Sequence, residues 1–437
     1  MKLFVRLHIN GQGWGLLEQD TPSTPNQLSD FICVSYSWGL GRSLNPFHPP
    51  YPVSDRTLPV LATTITQRPT ARKIWIDAFC VPPPSQPSLR TSTLQSMGFI
   101  YSRAAEVIVV LTSAALPVLR QALLSSALSQ SHLDILEAED WVTRAWTYQE
   151  AVNAHRLRIT CDGSPPDTAV DSMPFFNALG RALVSLAPTE RARYPRLNAF
   201  EELMADCAVA GYLERSALQV MAMMDERTQT VPEDHFYAMM GAISTEPARA
   251  VEGVSPCEAF MRLCERKGDY SFLFSSEGRE EREEMRWRPR EGGLKPGGEV
   301  KRGCLVLENV VMLQLASPGE DVMAFIERWL AGFKPYGSWP HLEPEQAAFE
   351  ALRALGFSGS SEYLGAECGL VFPHDPVPRS AKNVEILVAV EIMWTLGAPA
   401  LVRYRDNAGS GVLSYVPGVF FGKIQNGIRV PAAVNLF

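Results

Sequence analysis

The sequence predicts an α/β fold, a parallel β-sheet with helices on both faces, over residues 31–163. Three observations carry this. Residues 31–36 (FICVSY), 73–80 (KIWIDAFC) and 106–111 (EVIVVL) are continuous apolar runs, as in strands buried on both sides. A fourth run, 156–161 (RLRITC), alternates like a strand and ends at Asp162-Gly163. Helix-patterned segments at 58–67, 89–105, 114–136 and 141–155 separate the runs, and strand–helix alternation of this kind builds a flavodoxin-like parallel sheet.

The elements follow in order. Residues 1–30 form an N-terminal lead-in with one strand at 2–9. The run 31–36 ends in the glycine-bearing turn Ser37-Trp38-Gly39-Leu40-Gly41, and a proline-rich loop covers 45–52. The run 73–80 is the second buried strand, and Pro82-Pro83-Pro84 blocks its continuation. Residues 164–250 form a helical segment, with helices at 199–210 and 216–224. A helix start lies at Pro232-Glu233-Asp234, where acids complement the dipole. Residues 251–437 form a C-terminal α+β region. Its strands are expected at 304–315, 384–394, 400–404 and 412–421, with a turn at 407–411 and amphipathic helices at 321–333 and 343–355. The mixed charge run 277–291 reads as a solvated linker.

Composition narrows the function. A chain of 437 residues exceeds one ordinary core, and a 46% hydrophobic, 20% charged make-up is that of a globular protein. A net charge of −8 argues against nucleic acid as the main partner, because phosphate binding needs a basic face. The eight cysteines are scattered without C-x-x-C or zinc spacing, so they read as reduced thiols and no metal site is expected. No secretory leader and no apolar stretch long enough to span a bilayer is recognised, so the expectation is a cytoplasmic protein with no membrane span.

In sheets of this type ligands bind beyond the carboxyl ends of the strands. Those positions are Ser37-Trp38-Gly39, Asp77 to Cys80, and Thr112-Ser113. The segment 141–155, WVTRAWTYQEAVNAH, adds Trp146 and Glu150, four apart and so on one helical face, with Arg144 just before them. Each residue has a plainer alternative. Glu150 is either a catalytic carboxylate or a surface glutamate paired with Arg144. Arg144 serves either a nucleotide phosphate or that carboxylate. Asp77 either binds a ligand hydroxyl or caps the following loop. Trp38 sits where the sheet rule expects ligand, whereas Trp146 is more often core. Cys80 lacks an evident histidine partner and reads as an inert thiol. No P-loop, H-E-x-x-H or nucleophile elbow occurs.

Four motifs recur in a familiar order: Ser35-Tyr-Ser-Trp-Gly39, then Ile74-Trp-Ile-Asp-Ala-Phe-Cys80, then Met97…Ile100-Tyr101…Ala104, then Arg144-Ala-Trp-Thr-Tyr-Gln-Glu150. In this the chain resembles the fungal heterokaryon-incompatibility (HET) domain, and 227–241 is similar to a segment that often follows it. The resemblance covers about 31–163. It departs at Val81-Pro82-Pro83-Pro84-Ser85-Gln86, where the family has Ile-Asn-Gln. HET domains in turn resemble Toll/interleukin receptor (TIR) domains, whose W-x-x-x-E motif is matched by Trp146 and Glu150.

The resemblance implies a role in nonself recognition and programmed cell death. It implies cleavage of NAD, as substrate, with Glu150 as the catalytic residue; the sheet-edge reading adds Asp77 as a second catalytic carboxylate and Tyr36, Trp38, Gly39, Arg144 and Trp146 as residues lining the nucleotide. It equally implies the other behaviour of such domains, that of a non-catalytic adaptor acting by self-association. The changed tail at 81–86 favours the adaptor, and the intact W-x-x-x-E favours the enzyme.

Overall fold

A computed structural model of the full chain describes residues 2–8, 14–20, 30–124, 127–197, 199–200, 203, 215–225, 227–244, 246, 254–267, 269, 304–307, 310–314, 363–366, 369–389, 397–405, 413–422 and 432–435. It divides into two compact units, Met1–Lys267 and Gly268–Phe437.

The first unit is built on a seven-stranded sheet. Its strands are β1 (Lys2–His8), β2 (Trp14–Asp20), β3 (Ile32–Tyr36), β6 (Lys73–Trp75), β7 (Glu106–Leu111), β8 (Leu157–Cys161) and β9 (Val170–Asp171), in the spatial order β2-β1-β6-β3-β7-β8-β9. A small hairpin, β4 (Arg42–Ser43) with β5 (Val53–Ser54), stands apart. The inner four strands are parallel, with Ile32 opposite both Ile74 and Glu106, and Val107 opposite Leu157. All residues of β3 and β7 are buried, so the sheet is covered on both faces, as continuous apolar runs require.

The parallel strands therefore run second–first–third–fourth in chain order. From β3 the chain goes out to one side through α1 (Thr57–Gln67) to β6. It returns past β3 to β7 through α2 (Asp77–Cys80), α3 (Pro87–Gln95) and α4 (Met97–Arg103). This reversal is the topological switch that gathers loops at the carboxyl ends of the strands.

After β7 come α5 (Leu116–Leu123), α6 (Gln130–Glu137), α7 (Asp140–Thr143) and α8 (Ala145–Val152). After β9 come α9 (Ser172–Val184), α10 (Pro188–Arg191), α11 (Ala217–Asp225), α12 (Asp234–Ile243) and α13 (Pro256–Lys267).

The segment after β9 is fastened to α4, α7 and α8. The backbones of α4 and α12 touch through glycines: a Cβ on Gly98 would lie 2.1 Å from the Gly241 carbonyl oxygen, and one on Gly241 would lie 1.4 Å from Gln149 Oε1. Asn153 Nδ2 donates to the Gly241 carbonyl at 2.7 Å. Buried Arg227 donates to the Val142 carbonyl at 3.0 Å and lies 4.9 Å over the Tyr148 ring. Arg215 donates to the Val152 carbonyl at 2.7 Å.

The second unit carries β10 (Cys304–Leu307), β11 (Val310–Gln314), β12 (Leu364–Ala366), β13 (Gly369–Pro373), β14 (Lys382–Ala389), β15 (Gly397–Arg405), β16 (Leu413–Gly422) and β17 (Ala432–Asn435). Six of them form an antiparallel sheet in the order β11-β14-β15-β16-β13-β12, and β10 pairs with β17. Ile386, Leu387 and Val388 are successive and all at 0% exposure, so both faces of this sheet are covered.

Several sequence expectations need correction. In the lead-in, expected to be irregular apart from one strand, residues 2–8 and 14–20 form two antiparallel strands, the first of which pairs with β6, so the sheet is mixed at its edges. The strand expected over 73–80 ends at Trp75; the turn Asp77–Cys80 is helical, and Asp77 accepts the Ala78 N–H itself at 2.7 Å. The helix expected at 89–105 is two helices that break at Ser96 (φ −100, ψ 8). The helix expected at 141–155 breaks at Arg144, which is extended (φ −78, ψ 138) because its neighbours bond elsewhere. Ala145 N–H donates to the Thr228 carbonyl, and Thr228 N–H to the Thr143 carbonyl.

The helices expected at 321–333 and 343–355, the turn at 407–411, the charge run 277–291 and most of the helix at 199–210 lie outside the described residues. Among the described residues no helix is long and apolar enough to cross a membrane. Cys33, Cys80, Cys161, Cys257 and Cys264 are free thiols.

Candidate active site

The site begins with β3. Its last residues, Ser35 and Tyr36, are buried and point to opposite faces, as strand pleating requires. Tyr36 Oη shares a hydrogen bond with Thr57 Oγ1 at 2.8 Å, and its hydroxyl also bonds toward Asp77. The loop after it is tightly held. Gly39 adopts φ +65, a left-handed conformation that glycine accepts without strain. Gly41 leaves no room for a side chain, since a Cβ would lie 1.9 Å from Asp55 Oδ2. The Ser54 hydroxyl donates to the Trp38 carbonyl, and Arg42 lies 5.7 Å over the Trp38 ring while donating to the carbonyls of Gly39 and Gly41. The loop thus fixes a half-buried indole at the sheet edge.

Asp77 stands next to it, at the end of β6. Its carboxylate accepts the Trp38 Nε1–H at 2.8 Å and the Ala78 N–H at 2.7 Å. Glu150 comes from α8 and is only 5% exposed. The Ser35 hydroxyl donates to Glu150 Oε2 at 2.5 Å, and Ser35 Oγ itself accepts the Trp141 Nε1–H at 2.8 Å. The Tyr101 hydroxyl donates to the Val34 carbonyl at 3.0 Å and lies near the Glu150 carboxyl, where it favours the charged form.

Burial raises the Glu150 pKa from 4.5 to about 8, the Asp77 charge adds to the rise, and the Ser35 bond, Arg144 and Tyr101 oppose it. Asp77 is also raised, by burial first, against the pull of the Trp38 and Ala78 donors and Arg144. The charge of Asp77 thus adds to burial in favouring the proton on Glu150.

The charge of Arg144 acts against the raised pKa values of Asp77, Glu150 and Asp234. Among the described residues its guanidinium forms no ion pair within 4.0 Å. The cation is half-buried and uncommitted. Asp234, in the first turn of α12, has its pKa raised by burial, against the opposing influence of Trp146, Arg144 and Arg90. Trp146 stacks on Tyr237, with ring centroids 6.2 Å apart and planes 14° apart. The Tyr237 hydroxyl bonds Thr91.

Of the residues singled out in the sequence, Tyr36, Trp38, Asp77, Arg144 and Glu150 converge at the ends of β3 and β6. Gly39 lies beneath the Trp38 loop. Trp146 is one turn from Glu150 but turns its ring to Tyr237. Thr112, expected at the site, instead donates its N–H and hydroxyl to the buried carboxylate of Glu139. The space between β3 and β7 is closed by Arg56, which donates to the Ser37 carbonyl at 2.8 Å and pairs with Asp162 at 2.7 Å. Gln86 is exposed at the start of α3. Ser35, Tyr101, Trp141, Arg90, Asp234 and Tyr237 were missed as contributors. Ser35 and Tyr101 lay inside the four motifs, and Asp234 and Tyr237 inside the segment 227–241, which is the signal that was available. Among the described residues no three His, Cys, Asp or Glu side chains are grouped to hold a metal.

One comparison with known proteins succeeds. The family model described as heterokaryon incompatibility protein (HET) matches residues 31–130, less than a quarter of the chain. That stretch contains Trp38, Asp77 and Tyr101 and ends before Arg144 and Glu150. No curated protein and no solved structure matches the chain.

Proposed function

This chain carries a heterokaryon incompatibility (HET) domain, and from that premise we propose that its first unit is a TIR-like signalling enzyme of fungal nonself recognition and programmed cell death. It works in the cytoplasm and hydrolyses the nicotinamide–ribose bond of NAD or a related nucleotide. Glu150 is the catalytic carboxylate and Asp77 its charged neighbour. The observation that carries this reading is the convergence of two carboxyls, the Trp38 indole and an uncommitted Arg144 at one end of β3 and β6. The second–first–third–fourth strand order supports the TIR-like part.

The chemistry asks for little more. The C1′–N bond breaks with its electron pair going to nicotinamide, which departs neutral from a cationic ring. Positive charge builds on the ribose and a carboxylate beside it lowers the barrier. Water adds to C1′ and loses its proton. Products are the ADP-ribose moiety, nicotinamide and one proton. Glu150 rests protonated near neutrality, and the cationic pyridinium beside it favours the ionised form that the transition state needs. Tyr36, Trp38 and Gly39 shape the edge against which the nucleotide lies.

A second reading, the non-catalytic adaptor, draws on two facts. Glu150 is almost fully covered, and Leu40 and Leu44, on the loop beside Trp38, are 99% and 70% exposed. Such a loop suits self-association.

The deciding experiment is nicotinamide release by concentrated wild-type protein beside Glu150→Gln. Release by the wild type alone supports the enzyme. Release by neither, with both folded and assembled, supports the adaptor.

A further inference from the structure

Resting on the nucleotide-cleaving reading, we infer that the face of the Trp38 indole selects a positively charged ring, and that Arg42 fills that place until the ligand displaces it. The site would then take the cationic, oxidised nicotinamide ring in preference to neutral rings of the same shape.

Three observations lead here. The Arg42 guanidinium lies 5.7 Å from the centroid of the Trp38 ring, within reach of a cation–π attraction. Its other contacts are with carbonyls: Nη1 donates to Gly39 at 2.9 Å and to Gly41 at 2.8 Å. Among the described residues no carboxylate pairs with Arg42 within 4.0 Å, although Asp55 packs against the neighbouring Gly41. The cation therefore rests on an aromatic face and on backbone oxygens.

The edge of the indole is already engaged. Its N–H goes to Asp77 Oδ2 at 2.8 Å, so what remains for a ligand is the ring face. A carboxylate on the N–H polarises the ring, and a more electron-rich face draws a cation more strongly. The platform is also rigid. Gly39 stands at φ +65, the Ser54 hydroxyl holds the Trp38 carbonyl, and a Cβ on Gly41 would lie 1.9 Å from Asp55 Oδ2. By contrast Arg42 is exposed, and its backbone stays paired with Ser54 when its side chain turns away. Side-chain rotation alone thus uncovers the indole, and β3 and β6 need not move.

A cation without an acid partner, lying on a ring whose edge is bound to a carboxylate, marks a place built for positive charge. The pyridinium of an oxidised nicotinamide nucleotide is flat, cationic and of a size to cover an indole. It meets the same attraction that holds Arg42 and adds the area of a stacked ring.

Binding tests this separately from turnover. Nicotinamide methylated on its ring nitrogen is a permanent cation, whereas nicotinamide itself is neutral near neutrality. Both are titrated to tens of millimolar into the full-length wild type, Arg42→Gln and Trp38→Leu, each checked for folding by circular dichroism, and affinities are read by ligand-observed NMR. The wild type is expected to prefer the cation about tenfold, and Trp38→Leu to lose the preference. Arg42→Gln retains a donor for a glycine carbonyl and removes the competing charge, so the preference should rise about threefold. No preference in the wild type, a preference that survives in Trp38→Leu, one that stays level or falls in Arg42→Gln, or binding of neither probe would overturn the inference. The expected preferences without nicotinamide release from NAD would leave the cation platform standing and remove the hydrolase. Release from NAD without them would do the reverse.

Discussion

The Ser35 hydroxyl donates to Glu150 at 2.5 Å and at the same time accepts the Trp141 N–H, so the orientation of Ser35 is fixed from behind and Glu150 receives a donor on one oxygen only. Burial of the carboxyl, with the charge of Asp77 beside it, outweighs that donor and favours the neutral acid. The folded protein holds a proton on Glu150 that the unfolded chain releases between pH 4.5 and about 8, so stability falls as pH rises through that window.

Glu150→Gln should therefore stabilise the protein. At pH 7 the gain is expected on the order of 1–3 kcal/mol, shrinking toward zero near the pKa of the unfolded acid. Urea unfolding at several pH values checks it. A destabilised variant at neutral pH would contradict the proton assignment.

The same proton predicts the pH dependence of nicotinamide release. If Glu150 works as the carboxylate, kcat/KM rises with pH below about 8 and levels above it. A profile that falls as pH rises through the neutral range would mean that the acid form acts.

Trp38→Phe keeps the ring under Arg42 and removes the N–H that Asp77 accepts. Loss of a donor to this half-buried carboxylate costs about 1 kcal/mol, and it moves the Asp77 pKa further upward. Carboxyl titration followed by carbon NMR reads the shift. Nicotinamide release should drop at least tenfold while circular dichroism stays unchanged.

Gly98→Ala and Gly241→Ala each force a methyl into neighbouring atoms at the α4–α12 crossing. Each should cost roughly 2–4 kcal/mol, as overpacking at a backbone contact does. The same crossing predicts that a fragment ending at residue 163 aggregates, because Tyr148 and Gln149 lose their cover, whereas one ending at residue 267 folds. Solubility and thermal unfolding of the two fragments distinguish these outcomes.

Much of this was legible in the sequence because hydrophobic periodicity is local. EVIVVL can hardly be anything but a buried strand, and β7 spans those six residues. The carboxyl-end rule led to Trp38 and Asp77, which do meet. What stayed hidden depends on contacts between distant segments. No propensity says that Arg144 breaks a helix; Thr228 does so by taking its neighbour's N–H. Asp234 reads correctly as a first-turn acid, yet its bond to Trp146 is visible only once α12 is folded onto α8. Ser35 opens the first motif, yet its role is hidden in the sequence because its partners, Trp141 and Glu150, come from over a hundred positions away.

The interruption at Arg144 has a geometric consequence. Trp141 and Glu150 are nine positions apart, and at about 100° per residue an unbroken helix would turn them to opposite sides. The extended residue between α7 and α8 resets the phase, and both side chains reach one hydroxyl. A chain in which this stretch wound as a single continuous rod could offer Ser35 an indole or a carboxyl, but not the two together.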